Sequence, residues 1–169
     1  MSIFDFAMKM EMDGKRFYEQ QADSSSDNDL KEIFRTLAEE EQRHFDFFRK
    51  LKDGRTEDAA RELTESGKRL KSVQNIFQKM STDADAHSFG ESEKQAWTMA
   101  LRIEEEAEQF YREKVKIESD DSTRKLLVLI ADEEQRHIHM ISGVLTYIQS
   151  PSTFADSAQF RDFMSLEGH

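Results

Sequence analysis

The chain has 169 residues with one Pro, six Gly and no Cys, and its 35 Asp and Glu against 24 Lys and Arg leave a formal charge of -11. That balance opposes the phosphate field of DNA or RNA and suits small cations, while the missing thiols exclude disulfides, thiolate zinc sites and iron-sulfur clusters, so any metal must be held by oxygen and nitrogen. Abundant Glu, Lys, Gln, Ala, Met and Leu with sparse Val and Thr predict an all-α protein, most simply one domain over residues 1–166.

The first helix is expected from Ile3 to about Asp23, where Phe6, Ala7, Met10, Phe17 and Ala22 recur at helical spacing until Ser24-Ser25-Ser26 interrupts. Asn28 or Asp29 is placed to cap a second helix whose Leu30, Ile33, Phe34, Leu37, Ala38, Glu41, Phe45 and Phe48 form a stripe ending at Asp53-Gly54. Residues 54–91 form a crossover, helical over Thr56 to Met80 and then a polar loop from Ser81 to Gly90. A third helix is expected over Ser92 to Glu118, a turn at Ser119 to Ser122, and a fourth helix over Thr123 to Gln149, stopped by Pro151. Ser152 to Met164 contains Phe154, Phe160 and Phe163, suited to cap the bundle or meet another subunit, and Glu167-Gly168-His169 reads as a tag remnant.

No purely apolar run exceeds Leu126 to Ala131, far short of the roughly 20 residues a bilayer span needs. The N-terminus lacks a basic region followed by an apolar one, so a cytoplasmic protein without membrane partners is expected.

The chain is internally duplicated. Glu40-Glu41-Gln42-Arg43-His44 returns as Glu133-Glu134-Gln135-Arg136-His137, and the same shift lays Glu11 on Glu104, Phe17 on Phe110, Tyr18 on Tyr111, Ser26-Asp27 on Ser119-Asp120 and Ala38 on Ala131. Repeat A covers 3–53 and repeat B covers 92–150. Position 26 lies midway between Glu11 and Glu41, and Ser119 midway between Glu104 and Glu134. Folding each repeat at its midpoint therefore sets its isolated Glu roughly 20 Å from the turn, level with Glu-x-x-His on the partner helix.

Residues three apart share a helical face, so Glu41 projects with His44 and Glu134 with His137. Two hairpins related by a pseudo-twofold axis would gather Glu11, Glu41, His44, Glu104, Glu134 and His137 around one cavity, a set suited to two divalent ions. One Glu-x-x-His alone is weak, because its bland reading is a solvated acidic face. The motif here occurs twice in register, each time with a matching Glu.

Glu39, Glu105, Glu106, Glu108 and Asp132 read as surface, and so does Glu133. Glu40 and Glu133 are repeated, however, and either is placed to contact a ligand, Arg43 or Arg136. Tyr18 and Tyr111 lie two turns beyond Glu11 and Glu104. Each can donate to a carboxylate of another helix, take part in electron transfer, or simply pack in the core. His139 points away from His137, His87 falls in the connecting loop, and Met8, Met10 and Met12 read as packing residues.

This constellation resembles the ferritin-like di-iron carboxylate superfamily, and within it the rubrerythrin group. The resemblance implies a four-helix bundle with a long crossover, two iron ions (manganese or zinc also suit the donors), bridging Glu41 and Glu134, terminal or semi-bridging Glu11 and Glu104, and one His per ion. It further implies reduction of hydrogen peroxide or dioxygen with electrons from an external donor protein, in a homodimer. Ferroxidase and iron-storage chemistry, or a non-catalytic metal-binding role, are the alternatives. The chain departs from the rubrerythrin pattern twice: it has no four-Cys iron domain, and Ala107, with its repeat mate Gly14, stands where an extra carboxylate is usual.

Overall fold

Among the residues described by the computed structural model, 2–64, 66–83 and 89–167, the chain forms seven α-helices and a 3₁₀ turn, with no strand. His87 and the last two residues, Gly168 and His169, lie outside the described residues. The first hairpin is α1 (Ile3–Ser24) and α2 (Asn28–Lys52), and the second is α5 (Glu91–Ile117) and α6 (Asp121–Gln149). Their contacts, together with those of α1 on α5 and α2 on α6, close a four-helix bundle. The fold class matches expectation.

Two helices start earlier than their sequence spacing predicts. Asp27, rather than Asn28 or Asp29, caps α2 by accepting the Leu30 N–H at 2.9 Å, and its repeat mate Asp120 caps α6 by accepting the Thr123 N–H at 2.9 Å. Each such cap contributes about 1 kcal/mol. The fourth helix thus starts at Asp121 rather than Thr123. At the other end of α2, Gly54 takes the left-handed conformation with φ 76°, as its position after the last turn predicts.

The described residues of the crossover are helical over Thr56–Thr64 (α3) and Ser66–Thr82 (α4), as expected for Thr56 to Met80. α3 lies on α2 and α6, and α4 on α2. α4 also meets the C-terminal segment, a 3₁₀ turn at Pro151–Asp156 followed by α7 (Ala158–Met164). Phe77 of α4 packs 4.5 Å from Phe163 and 5.5 Å from Phe154, ring centre to ring centre, and the Gln74 side chain donates to the carbonyls of Phe163 and Leu166. The C-terminal segment therefore caps this chain's own bundle. Gly143 permits the close fit, since a Cβ there would stand 2.5 Å from the Phe77 ring.

Each bundle helix runs from one apolar cluster to another through a charged layer. In α2 the order is Leu30, Ile33, Phe34, Leu37 and Ala38, then Glu40 to His44, then Phe47, Phe48 and Leu51. In α6 it is Leu126, Leu127, Ile130 and Ala131, then Glu133 to His137, then Met140, Ile141 and Val144. A fully buried Leu, Ile or Phe contributes roughly 1.5–3 kcal/mol. The two apolar ends thus offset the cost of the polar layer between them. Two sequence assignments fail here: Phe45 is only half-buried while Phe47 is buried, and Phe6 remains 46% exposed at the α1/α5 edge, resting against Phe110 with centroids 5.0 Å apart. No helix of the described residues is long and apolar enough to cross a membrane.

Candidate metal centre

The charged layer is buried. Glu11, Glu41, His44, Glu104, Glu134 and His137 are each at most 3% exposed. Their donor atoms fall into two groups within 4.8 Å: Glu11, Glu41, His44 and Glu134 in one, and Glu41, Glu104, Glu134 and His137 in the other. Glu41 and Glu134 belong to both groups, whereas each remaining Glu and His belongs to one. The structure thus brings together all six residues picked out by the repeat, in an arrangement suited to two ions sharing two carboxylates.

Orientation is supplied across the hairpins. The Tyr18 hydroxyl of α1 donates to Glu104 Oε1 of α5 at 2.6 Å, and the Tyr111 hydroxyl of α5 donates to Glu11 Oε1 of α1. His44 Nε2 lies 2.9 Å from Glu133 Oε1, and His137 Nε2 lies 3.8 Å from Glu40 Oε1. In both rings the other nitrogen, Nδ1, faces the carboxylate cluster. Binding one imidazole nitrogen to a carboxylate fixes the ring and leaves the second nitrogen for a cation. The two rings are stacked with centroids 5.6 Å apart.

Glu40 and Glu133 were therefore undervalued by helical periodicity. They lie off the main apolar stripe, but the crossover covers a second face of each helix, α3 and α4 on α2 and α3 on α6. Arg43 serves both carboxylates: its guanidinium pairs with Glu40, lies 3.8 Å from Glu133, and donates to the carbonyl of Glu62 in α3. The verbatim repetition of Glu40 as Glu133 was the available signal. A cavity of about 10 Å³ lined by Glu40, Leu70, Glu133, Arg136, His137 and Met140 adjoins the longer of the two His contacts.

Burial and crowding of like charge dominate the electrostatics. Desolvation, then the neighbouring Glu104 and Glu11 charges, push Glu41 and Glu134 well above the ordinary carboxylate range. Burial would also raise Glu104, but the adjoining Glu134 carboxyl and the His137 charge outweigh that and hold it at about 2. Burial would lower His137, yet the Glu104 carboxylate, 3.5 Å from its Nδ1, carries it to about 10, and Glu11 and Glu134 likewise raise His44 against desolvation. Tyr18 and Tyr111 are raised by burial and then by the surrounding carboxylates, so both hydroxyls remain donors.

The donor set fits divalent cations. Each of the six residues has a buried side-chain atom without a hydrogen-bond partner among the protein groups: Glu11 Oε2, Glu41 Oε1, His44 Nδ1, Glu104 Oε2, both oxygens of Glu134, and His137 Nδ1. Buried polar atoms left unmatched cost about 1–3 kcal/mol each, and cations between the two groups would satisfy these lone pairs together. Carboxylate oxygen with imidazole nitrogen accommodates iron, manganese or zinc. Gly14 makes space for this arrangement, because a Cβ at that position would lie 2.9 Å from Glu41 Oε2. Ala107, its mate, is buried and offers no seventh carboxylate.

The remaining sequence assignments separate cleanly. His139 is half-buried in a groove beside Glu105, Glu108 and Gln135, outside both donor groups, and Met8 and Met10 pack against the apolar cluster around Phe48. A family model described as rubrerythrin matches residues 2–145 of the chain. Neither curated proteins nor solved structures give a match.

Proposed function

The chain belongs to the rubrerythrin family, and on that premise we propose that it is a di-iron oxidoreductase that reduces hydrogen peroxide or dioxygen with electrons from a separate donor protein. The observation that carries this reading is the pair of overlapping donor groups, each with one private carboxylate and one imidazole, sharing Glu41 and Glu134. In this assignment Glu41 and Glu134 would be shared by the two ions, Glu11 and His44 would help hold one, and Glu104 and His137 the other. When bound, an iron pair would supply two electrons, enough to reduce hydrogen peroxide to water or dioxygen to peroxide.

The protein's own groups have distinct tasks. Tyr111 and Tyr18 fix the two terminal carboxylates, leaving the second oxygen of each for an ion. Glu133 fixes the His44 ring, and Arg43 ties Glu133 and Glu40 to the crossover. The apolar clusters on either side keep bulk water from the layer, which strengthens every charge interaction inside it. With no Cys, the chain holds no thiolate iron centre of its own, which supports an external electron source.

The test is anaerobic loading with ferrous iron followed by rapid mixing with peroxide and, separately, with dioxygen. Loading should approach about two irons per chain, the stoichiometry of this ligand class, and the faster oxidant identifies the chemistry. A ratio near zero would overturn the metal assignment. Rapid oxidation by dioxygen with retention of ferric iron in a large closed assembly would instead support storage.

A further inference from the structure

The two halves of the duplication differ sharply beside their tyrosines. Tyr18 lies 6.3 Å from Phe34, centroid to centroid, and Phe34 is stacked on Trp97 at 3.9 Å with an interplanar angle of 14°. Trp97 is the chain's single tryptophan and is fully buried. Its Nε1–H donates to Glu93 Oε1 at 3.3 Å, and the same oxygen accepts from the Ser25 hydroxyl at 3.2 Å. Glu93 is only half-buried, at the start of α5 beside the α1–α2 turn. Aromatic groups therefore run without a break from the Glu104 carboxylate to the protein boundary.

In the other half, Tyr111 lies 5.3 Å from Phe48, and Phe48 lies 6.4 Å from Phe4, the repeat mate of Trp97. Phenylalanine packs as well as indole but cannot be oxidised at potentials where indole and phenol can. Core packing alone calls for no indole at this point, and no hydrogen bond to a carboxylate. The position that carries an indole in one half thus carries a phenyl ring in the other, and only the Tyr18 half pairs its phenol with a second redox-active ring.

We propose that Trp97 and Tyr18 form a one-electron relay between the carboxylate layer and the surface at the Ser25–Glu93 corner. This inference rests on the oxidoreductase reading and gives it a route for electrons. A one-electron oxidant takes an electron from the indole, whose Nε1 proton passes to Glu93. Tyr18 then gives one electron to the indolyl radical, its phenolic proton crosses the 2.6 Å hydrogen bond to Glu104, and the indole recovers its proton from Glu93. The net change is a neutral tyrosyl radical at Tyr18, a proton on Glu104, and an oxidant reduced by one electron. An oxidising equivalent arising at the Glu104 side leaves by the same groups in reverse order.

Flash photo-oxidation of the full-length chain by a ruthenium tris-bipyridine sensitiser with persulfate tests the relay, with radicals identified by transient absorption and electron paramagnetic resonance. The chain has three tyrosines, Tyr18, Tyr111 and Tyr147. An indolyl radical should convert into a tyrosyl radical in the native chain and in the double variant Tyr111→Phe/Tyr147→Phe, where Tyr18 is the sole phenol. Tyr18→Phe should abolish that conversion, and Trp97→Phe should remove the indolyl stage and slow tyrosyl formation. An indolyl radical that decays in the native chain without producing tyrosyl overturns the relay, as does loss of the tyrosyl signal in the double variant. Because the radicals come from an external oxidant, a failed relay leaves the metal assignment standing, and a chain that binds no iron still tests the relay.

Discussion

His44 and Glu133 are 89 positions apart in sequence and belong to different hairpins, yet His44 Nε2 stands 2.9 Å from Glu133 Oε1 in a site where both are buried. The corresponding contact in the other direction, His137 to Glu40, spans 3.8 Å and has a small cavity beside it. The repeat therefore supports its two imidazoles unequally. Replacing Glu133 with Gln should lower affinity for one of the two ions by about 10–100-fold, the usual cost of losing an orienting partner, whereas Glu40→Gln should cost less. Isothermal titration with ferrous or zinc ion measures both, and equal losses would contradict the asymmetry.

The metal-free protein should lose stability as pH rises from about 6.5 to about 10. His137 is held at about 10 against an ordinary 6.5, so its contribution is complete below 6.5 and disappears as pH climbs through the folded value. Glu41 and Glu134, also raised, act in the same direction above the ordinary carboxylate range. On the acid side, Glu40 and Glu104 are both held at about 2, so their contribution is present above about 4.5 and is lost as pH falls through 2. Thermal denaturation of chelator-treated protein should show this dome, and a melting temperature rising from pH 7 to 10 would refute it. Loading two divalent ions at neutral pH should also release the imidazolium protons, measurable by titration in buffers of different ionisation enthalpy.

Gly14→Ala should separate folding from metal binding. Alanine favours a helix interior by about 1 kcal/mol over glycine, but the new methyl would press on the Glu41 carboxylate, 2.9 Å from Oε2. That oxygen is the end of a flexible side chain, so the metal-free fold should be unharmed or slightly stabilised while metal affinity falls. Denaturant unfolding and metal titration on the same sample provide the comparison. Unchanged affinity would mean that Glu41 is not held in a fixed position.

At the crossover, Gly143→Ala should destabilise the fold by about 1–3 kcal/mol through overpacking, because the added methyl would stand 2.5 Å from the Phe77 ring. Phe77→Leu in the same chain should recover part of the loss. Strict additivity of the two changes in chemical denaturation would show that the close approach is relaxed in solution.

His139→Ala should leave metal content unchanged, because its side chain lies in a surface groove outside both donor groups. Loss of one ion in a metal analysis would show that the imidazole assignment is wrong.

The main helices and the six candidate donors were legible because they depend on periodicity and on a repeat that can be aligned without a gap. The capping aspartates were legible in principle, since Ser26-Asp27 repeats as Ser119-Asp120, but local propensity could not distinguish Asp27 from Asn28 or Asp29. The burial of Glu40 and Glu133 is not legible from one helix, because it depends on a crossover that covers a second face of α2 and of α6. Phe6 shows the opposite effect: its spacing is that of a core residue, but α1 has too little covering it at the α5 edge. The stack of Phe34 on Trp97 joins helices distant in sequence, and the duplication hides it because Trp97 pairs with Phe4.

Each hairpin furnishes three candidate donors but borrows the groups that aim them: Tyr18 acts on Glu104, Tyr111 on Glu11, and Glu133 on His44. One hairpin in isolation would be half a socket, and it could be completed only by meeting its twin. Joining two such units into one polypeptide would leave the interior geometry intact while freeing either unit to drift from its sibling, as Trp97 has from Phe4.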